Sequence, residues 1–196
     1  RAVTRQDYTS MVYSMPTKFG AVKRCRIDPD MDSFKRNINI YTVSEDFDGR
    51  LVESSITLKN NLKKWIEVYK MMGDTFDILD GRIVNIAIDY EVMIAPTANK
   101  AEAIIECNRE IQEIFRIHPE FGEALYLNDI YNVLGNLESV IDVIDVQVTN
   151  KHGGVYTDNI FSIKDHLSID GRTLKIPFDH VYELKFPITD IKGTAI

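Results

Sequence analysis

The sequence predicts an α+β fold of two layers, in which helices pack on a mixed β-sheet and a β-rich extension follows at the C-terminus. Three observations support this fold class. Segments with alternating apolar residues occur in both halves of the chain, segments with apolar residues at helical spacing lie between them, and the last third consists of short extended pieces. With 196 residues, 44% of them hydrophobic, the chain is long enough to bury a substantial core.

The first 50 residues have the pattern of one helix followed by two strands. Thr4 can cap the helix, and Pro16 ends it. The apolar residues of this helix recur at helical spacing and are Tyr8, Met11, Val12 and Met15. Strands are predicted near residues 22–27 and 38–43, and the Asp-rich segment IDPDMDS forms the turn between them.

A second helix is predicted to begin after Ser54 or Ser55 and to end at Gly73. It has an apolar stripe wide enough to lie on a sheet, made of Leu58, Leu62, Trp65, Ile66, Tyr69 and Met72. The stretch after Gly73 is expected to be a loop because it carries three closely spaced acidic residues, Asp74, Asp77 and Asp80.

The clearest strand follows over residues 84–94. Its apolar residues alternate with mostly polar ones, which predicts one buried and one wet face; they are Val84, Ile86, Ile88, Tyr90, Val92 and Ile94. Pro96 closes the strand, and Asn99 can cap a long helix. The apolar stripe of that helix is Ala101, Ile104, Ile105, Ile111, Ile114 and Phe115.

The remaining third is predicted to contain a short helix capped by Asn128 and a strand over residues 140–149. Three apolar residues of that strand are expected to share a face, Ile144, Val146 and Val148. Short extended pieces follow near Phe161, Leu174–Phe178 and Val181–Phe186. We therefore expect an α+β domain over residues 1–149, which can divide into two small α/β subdomains, and a β-rich segment over residues 150–196.

The periodic faces of these elements predict a set of largely buried core side chains. They are Trp65, Ile86, Ile88, Val92, Ile104, Ile111 and Phe115. In the C-terminal segment, many apolar side chains lie between Pro177, Pro187 and other breaks, and they need a surface to cover them, either on the same domain or on another copy of the chain.

Charge and composition exclude several classes of protein. The formal net charge of −7 disfavours general nucleic-acid binding. Residues 1–36 carry eight Lys and Arg against four Asp and Glu, whereas residues 37–196 carry 15 against 26. This asymmetry can steer copies of the chain head to tail, or it can simply reflect a solvated face, which is the more common case. No apolar run approaches the roughly 20 residues of a membrane span. Because the chain begins with Arg rather than Met, we interpret it as a piece of a longer polypeptide.

The two cysteines, Cys25 and Cys107, lie far apart and form no CxxC pair. A disulfide framework requires more cysteines, so we expect a reducing compartment such as a cytoplasm. Neither cysteine has an adjacent histidine to lower its pKa, and no G-x-S-x-G segment is present. We therefore expect neither to be a catalytic nucleophile.

Metal sites are also not predicted. The segment DPDMDS begins like a calcium loop, but Ser33 and Asn39 stand where that loop needs Gly and Glu, so an Asp/Pro turn is the better interpretation. Surface positions are expected for all four histidines, and no H-x-x-x-H spacing supports zinc; they are His118, His152, His166 and His180. We predict no catalytic, cofactor-binding or metal-binding residue, no cofactor and no enzymatic activity.

Three segments together resemble the Baseplate J-like family. RAVTRQDYTSMVYSMPTKFGAVKRCRI is similar to that family's opening helix and strand, and IVNIAIDYEVMIAPTANKAEAIIECNREIQEIF is similar to its strand-then-helix step. GEALYLNDIYNVLGNLESVIDVIDVQV is similar to its later helix and strand. The three occur in the family's order and spacing and span most of residues 1–150.

The resemblance implies a structural protein of a virion: a baseplate wedge subunit of contractile-tailed bacteriophages, here its C-terminal part. Such a subunit belongs to the viral tail, assembles in the host cytoplasm and forms a ring around the central hub. The implied partners are other copies of the chain, as dimers within the ring, and other baseplate wedge, hub and sheath-associated proteins. Nucleic acid and membranes are not among them. The alternative from the residues is a nucleic-acid- or carbohydrate-binding module of a larger protein, which uses the basic N-terminal stretch or the aromatic C-terminal loops. A third possibility is an enzyme whose site is completed by another part of the polypeptide.

Overall fold

The computed structural model describes residues 2–30 and 37–196, and its fold class is α+β, as predicted, with about 30% helix and 33% strand. The described residues form two compact units, residues 1–83 and residues 84–196. None of their helices combines the length and the apolar character of a membrane span. The predicted boundary between residues 149 and 150 lies within a strand of the second unit, and the predicted division into domains stays a prediction.

The first unit contains two α-helices and a mixed sheet. Its elements are α1 (Arg5–Tyr13), a 3-10 turn (Thr17–Phe19), β1 (Arg24–Pro29), β2 (Asn37–Glu45), β3 (Leu51–Glu53), α2 (Ile56–Glu67) and β4 (Thr75–Asp80). β2 is central: it pairs antiparallel with β1 on one edge, and parallel with β4 and antiparallel with β3 on the other. Both helices pack on one sheet face, where the buried residues include Tyr8, Val12, Cys25, Ile40, Leu62, Ile66 and Phe76.

The helix starts of the first unit follow the predicted capping residues. Thr4 caps α1 by accepting a hydrogen bond from the backbone N–H of Asp7, and the carboxylate of Asp7 accepts one from the N–H of Thr4. Ser55 caps α2 by accepting from the N–H of Leu58. These reciprocal bonds satisfy backbone donors that no helical carbonyl can reach.

The region after α2 differs from the prediction. The helix ends at Glu67 rather than at Gly73, and Met72 is 94% exposed. Most of the acidic stretch is not a loop but strand β4: Asp77 and Asp80 lie in it, whereas Asp74 precedes it. In β4, Phe76 is buried while Thr75 and Asp77 are exposed. Because side chains alternate along a strand, Asp77 points away from the face that carries Phe76, whereas Asp80 shares that face and pairs with Lys59 of α2.

The second unit contains a second mixed sheet with two longer and two short helices. Its elements are β5 (Arg82–Ile94), α3 (Lys100–Ile114), β6 (Leu125–Tyr126), α4 (Leu127–Gly135), β7 (Val140–Lys151), α5 (Ile163–His166), β8 (Thr173–Leu174), β9 (His180–Glu183), α6 (Pro187–Asp190) and β10 (Ile191–Ala195). β5 is central, with β7 antiparallel on one side and β10 parallel on the other; β9 also pairs with β5. β6 and β8 form a separate antiparallel pair.

Helices α3 and α4 pack on one face of this sheet. The core between them is made of Ile88, Tyr90, Val92, Ala103, Cys107, Ile111, Ile130, Leu134, Val146, Leu184 and Ile191. The prediction for four core residues is confirmed, since Ile86, Ile88, Val92 and Ile111 are fully buried. Trp65, Ile104 and Phe115 are only half-buried. Trp65 keeps its indole N–H near the surface, where it donates to the carbonyl of Met11 at 3.0 Å.

The buried face of α3 is rotated from the predicted stripe. Its fully covered residues are Ala103, Cys107 and Ile111, whereas Ile105 is 67% exposed. Small side chains at 103 and 107 let the helix approach the sheet, and the large Tyr90 fills the remaining space. The Tyr90 hydroxyl donates to Asn108 Oδ1 at 2.7 Å. A stripe counted only from large apolar residues therefore misses the true contact face.

Strand β5 is buried on both faces over its first half, where the prediction gave one wet face. Asn85 and Ala87, on the predicted wet face, are 0% and 2% exposed. In β7 the register shifts so that Glu91 pairs with Asp145 while Val92 pairs with Val143. Ile144 is the extra residue of this bulge and is 45% exposed, which separates it from the buried Val146.

The start of α4 also differs from the prediction. The N-cap is Tyr126 without a side-chain hydrogen bond, and Asn128 lies inside the first turn. The backbone N–H of Leu127 instead donates to the carbonyl of Arg172 at 2.9 Å. A partner far along the chain thus satisfies the helix end, and no local capping residue is required.

Candidate functional site

The described part of the DPDMDS segment is occupied by contacts within the protein. Asp28 forms ion pairs with Arg5 at 2.9 Å and with Arg26 at 2.6 Å. Asp30 accepts from the side-chain amide of Asn37 at 3.1 Å. The rest of the segment, including the predicted turn residues 31–33, lies outside the described residues.

Two of the four histidines pack around one aromatic ring. The rings of His166 and His180 lie 4.4 and 5.7 Å from that of Phe161. His180 Nδ1 is 2.7 Å from Asp179 Oδ1, and its side chain is only 13% exposed, so the predicted surface position is wrong for this residue. Across residues 2–30 and 37–196, no group of three His, Cys, Asp or Glu side chains is arranged to hold a metal ion.

Both cysteines are buried, and Asp74 and Asp80 bond to side chains of the protein itself. Cys25 and Cys107 are buried and form no disulfide bond, and burial raises the pKa of the Cys107 thiol, which disfavours the thiolate. Asp74 is buried and accepts a hydrogen bond from the Tyr8 hydroxyl at 2.9 Å. Asp80 accepts from Lys59 at 2.6 Å. That the chain has no catalytic, cofactor or metal residue stays a prediction.

A first groove, of about 470 Å³, lies beside the N-terminal half of α3. Its polar side chains largely bond to each other or to backbone: Ser139 donates to Glu106 at 3.0 Å, and Asn99 caps the helix. Arg109 pairs with Glu110 at 3.1 Å. This groove therefore offers few groups to a ligand.

A second groove, of about 650 Å³, runs along β7 between α4 and the segment that contains α5. Its apolar lining includes Leu127, Tyr131, Val146, Val148, Ile163 and Leu167. Asp145, Asp170 and Lys164 also line it. The groove thus combines an apolar floor with two carboxylates and one amine, a composition typical of a surface that binds protein segments.

The second unit is strongly acidic. Residues 84–196 carry nine Lys and Arg against 18 Asp and Glu, a net charge of −9, whereas residues 1–83 carry 14 against 12, a net charge of +2. Two carboxylates even lie opposite each other in the sheet, since Glu91 pairs with Asp145. Such cross-strand like charges destabilise a sheet, and a basic partner would relieve the repulsion.

The apolar side chains of the C-terminal segment are only partly covered by their own unit. The buried ones are Phe161, Leu174, Ile176, Val181, Tyr182, Leu184 and Ile191. The exposed ones are Val155, Ile160, Ile169, Phe178, Ile188 and Ile196, and Phe186 is half-buried. β9 and β10 of this segment belong to the sheet of the second unit.

Comparison with solved structures shows a similarity of fold. No protein-family model and no curated protein matches the chain, so membership of the Baseplate J-like family is not confirmed. The fold is similar to a chain in the cryo-EM structure of the anti-feeding prophage (AFP) baseplate, six-fold symmetrised, with a TM-score of 0.55 and 11% identity. The match covers 93% of this chain but only 37% of that chain.

Sequence reasoning did not find the groove along β7. Its walls come from residues 127–131, 145–150 and 161–171, which no local pattern connects. One signal was available: β7 is predicted as a long strand rich in apolar residues, and a long strand at the edge of a sheet is a template for pairing with another chain.

Proposed function

We propose that this chain is a structural subunit of the tail baseplate of a contractile injection particle and has no enzymatic activity. The observation that carries the proposal is the fold similarity to a chain of the anti-feeding prophage baseplate over 93% of the residues. The resemblance of three ordered segments to the Baseplate J-like family is a separate argument, because it comes from residue patterns rather than from the fold.

The finer role follows the same resemblance. The chain acts as the C-terminal part of a baseplate wedge protein, several copies of which surround the central hub and contact other wedge, hub and sheath-associated proteins. The chain spans 37% of the matched baseplate chain, so a longer polypeptide would supply further contacts. The net charge of −9 on residues 84–196 favours protein partners over nucleic acid.

The proposal is tested in the strain whose genome encodes the chain. Particles are purified, and the chain is quantified by mass spectrometry relative to the sheath and hub proteins. We expect it in the particle at a fixed ratio. Deletion of its coding segment should leave tails without complete baseplates in electron micrographs, and the wild-type segment should restore them.

Two substitutions test whether the complementation requires the folded chain. Asn132→Asp, at an exposed position of α4, should restore particles as the wild type does. Ile111→Asp, at a fully buried position of α3, should not restore them, because it disrupts the fold. Particles that lack the chain, or normal baseplates after its deletion, would contradict the proposal.

A further inference from the structure

The outer edge of β7 has no strand beside it among the described residues. β7 pairs with β5 along one edge, and no backbone hydrogen bond of the described residues from its other edge reaches a further strand. The strand is 12 residues long, and its open edge faces the 650 Å³ groove. A long open edge of this kind is a template for pairing with another chain.

The hydrogen bonds show which residues of β7 point their backbone groups outward. The N–H of Val146 donates to the Tyr131 hydroxyl at 3.0 Å rather than to β5. Since the direction alternates along an antiparallel strand, the N–H and C=O of Val148 and the N–H of Asn150 also point outward.

The opposite side of β5 supports the same assignment. Ile196 donates to the carbonyl of Val92 and accepts from the N–H of Ile94, so even-numbered residues of β5 bond away from β7. Its odd-numbered residues therefore bond to β7, where Asp89 and Ala87 pair with Gln147 and Thr149. No register shift interrupts the ladder between residues 145 and 151.

Strand β1, at one edge of the sheet of the first unit, is protected, in contrast to β7. On β1 the outward N–H of Cys25 donates to the Tyr13 hydroxyl at 3.1 Å. Because the outward direction alternates along the strand, Ile27 and Pro29 are the next outward positions after Cys25. Pro29 ends the strand and has no N–H that another chain could bind. Proline on an edge strand prevents pairing with other chains. On β7 the N–H of Val146 is covered by Tyr131, and the side chain of Asn150 accepts from the N–H of Phe161 at 3.1 Å. Among the described residues, no backbone hydrogen bond engages the outward N–H groups of Val148 and Asn150.

The surroundings of this edge specify the chemistry of a partner. Apolar side chains of α4 and α5 flank it, so every second residue of an added strand meets an apolar wall. Asp145 and Asp170 line the groove against the single Lys164, in a unit with a net charge of −9. An added strand with Lys or Arg residues is therefore electrostatically favoured.

We propose that the outer edge of β7, from Val146 to Asn150, binds an extended basic segment of a neighbouring protein chain by strand addition. The segment accepts from the N–H groups of Val148 and Asn150 and donates to the carbonyls of Val146 and Val148. This interaction surface goes beyond the baseplate role and rests on the strand geometry and on the charges that line the groove.

The test uses the 196-residue chain and two synthetic peptides. The basic probe is the acetylated and amidated heptapeptide KVTVKVT, and its charge-reversed counterpart is EVTVEVT. Binding is followed by NMR shifts and by hydrogen exchange of the backbone amides. We expect the basic peptide to slow exchange of the Val148 and Asn150 amides, and the acidic peptide to bind about tenfold more weakly.

Val148→Pro removes the outward N–H without touching the β5 ladder, and Val148→Ala is its matched control because it trims the side chain but keeps the N–H. The proline variant should lose about tenfold in affinity for KVTVKVT, and the alanine variant much less. If the proline variant is unfolded, the test rests on the wild-type chain: KVTVKVT should slow hydrogen exchange of the Val148 and Asn150 amides. Equal binding of both peptides, no binding of either, or protection away from residues 146–150 overturns the proposal. None of these results depends on whether the chain belongs to a baseplate.

Discussion

The ring of Tyr90 lies directly against the backbone of Gly193, where β5 and β10 pair. The two residues are register partners, and a β carbon at Gly193 would fall well inside van der Waals contact with the ring carbons and the hydroxyl of Tyr90. The ring cannot move aside easily, because its hydroxyl donates to Asn108 and the side chain is buried among other core residues. Burial also raises the pKa of this hydroxyl well above its usual value.

Gly193→Ala should therefore destabilise the second unit. We expect a loss of about 1–3 kcal/mol, because an added methyl group must displace a buried, hydrogen-bonded ring. The matched control is Gly135→Ala in α4, where a β carbon meets no atom within 4 Å. Alanine there should be neutral or stabilise by up to about 1 kcal/mol, because it is the better helix former. Urea unfolding of both variants measures the difference. Equal losses of stability would show that the close contact between Gly193 and the Tyr90 ring does not limit the residue at position 193.

The face of α3 can be tested by two substitutions six residues apart. Ile111 is fully buried, whereas Ile105 is 67% exposed although the sequence pattern predicts it in the stripe. Ile111→Asp should cost several kcal/mol, on the order of 3–5, because it places a charge in the core. Ile105→Asp should change stability by less than about 1 kcal/mol. Circular dichroism melting curves distinguish them, and a reversed order would favour the predicted stripe over the observed face.

The outcome for α3 shows what the sequence can and cannot predict here. Helix starts at Thr4, Ser55 and Asn99 follow from local hydrogen bonds, so one residue type at one position is sufficient to predict them. The buried face depends on which side chains allow close approach, and Ala103 and Cys107 decide this because they are small. That information lies in the packing partner rather than in the helix.

Strand β4 illustrates a different failure. Its alternation is present in the sequence, since Phe76 and Ile78 are the inward residues, but three aspartates indicate a loop when they are considered alone. The groove along β7 is a third case, since its walls meet only after the sheet forms. Its outward N–H groups depend on register and on the bulge at Ile144, which no single-strand pattern specifies.

A buried polar contact in the second unit provides the next prediction. The side-chain amide of Asn85 donates to Glu183 Oε2 at 3.2 Å, and its Oδ1 accepts from the N–H and hydroxyl of Thr157, both at 2.9 Å. Asn85 and Glu183 are 0% and 2% exposed. Asn85→Asp keeps the shape but replaces the donor with an oxygen that faces a carboxylate.

We expect Asn85→Asp to destabilise the chain by about 2–5 kcal/mol, because two buried acids then lie side by side. Asn132→Asp makes the same chemical change at an exposed position of α4 and should stay within about 0.5 kcal/mol of the wild type. Chemical denaturation at neutral pH compares the two. A small effect at Asn85 would mean that water or a side-chain movement compensates the lost donor.

The cap of α1 gives a stability effect with a defined pH dependence. The carboxylate of Asp7 accepts from the N–H of Thr4 at 2.8 Å and from the N–H of Val3 at 3.0 Å. These bonds, followed by that with the Thr4 hydroxyl, hold the pKa of Asp7 below its ordinary value of 3.8. Because the folded-state pKa is the lower one, the carboxylate stabilises the fold fully above the unfolded value, and this contribution is lost as the pH falls through the folded value.

Asp7→Asn should therefore lower stability at about pH 6, and its difference from the wild type should shrink at a pH below the folded-state pKa, where the wild-type carboxyl is protonated. Asp129→Asn is the control: it removes a carboxylate from the first turn of α4, a helix without a side-chain cap. An NMR titration of the Asp7 carboxyl carbon measures the pKa directly, and urea unfolding at both pH values measures its effect. If the penalty of Asp7→Asn is the same at both pH values, the carboxylate of Asp7 does not act through its charge, and the capping hydroxyl of Thr4 alone holds the start of α1.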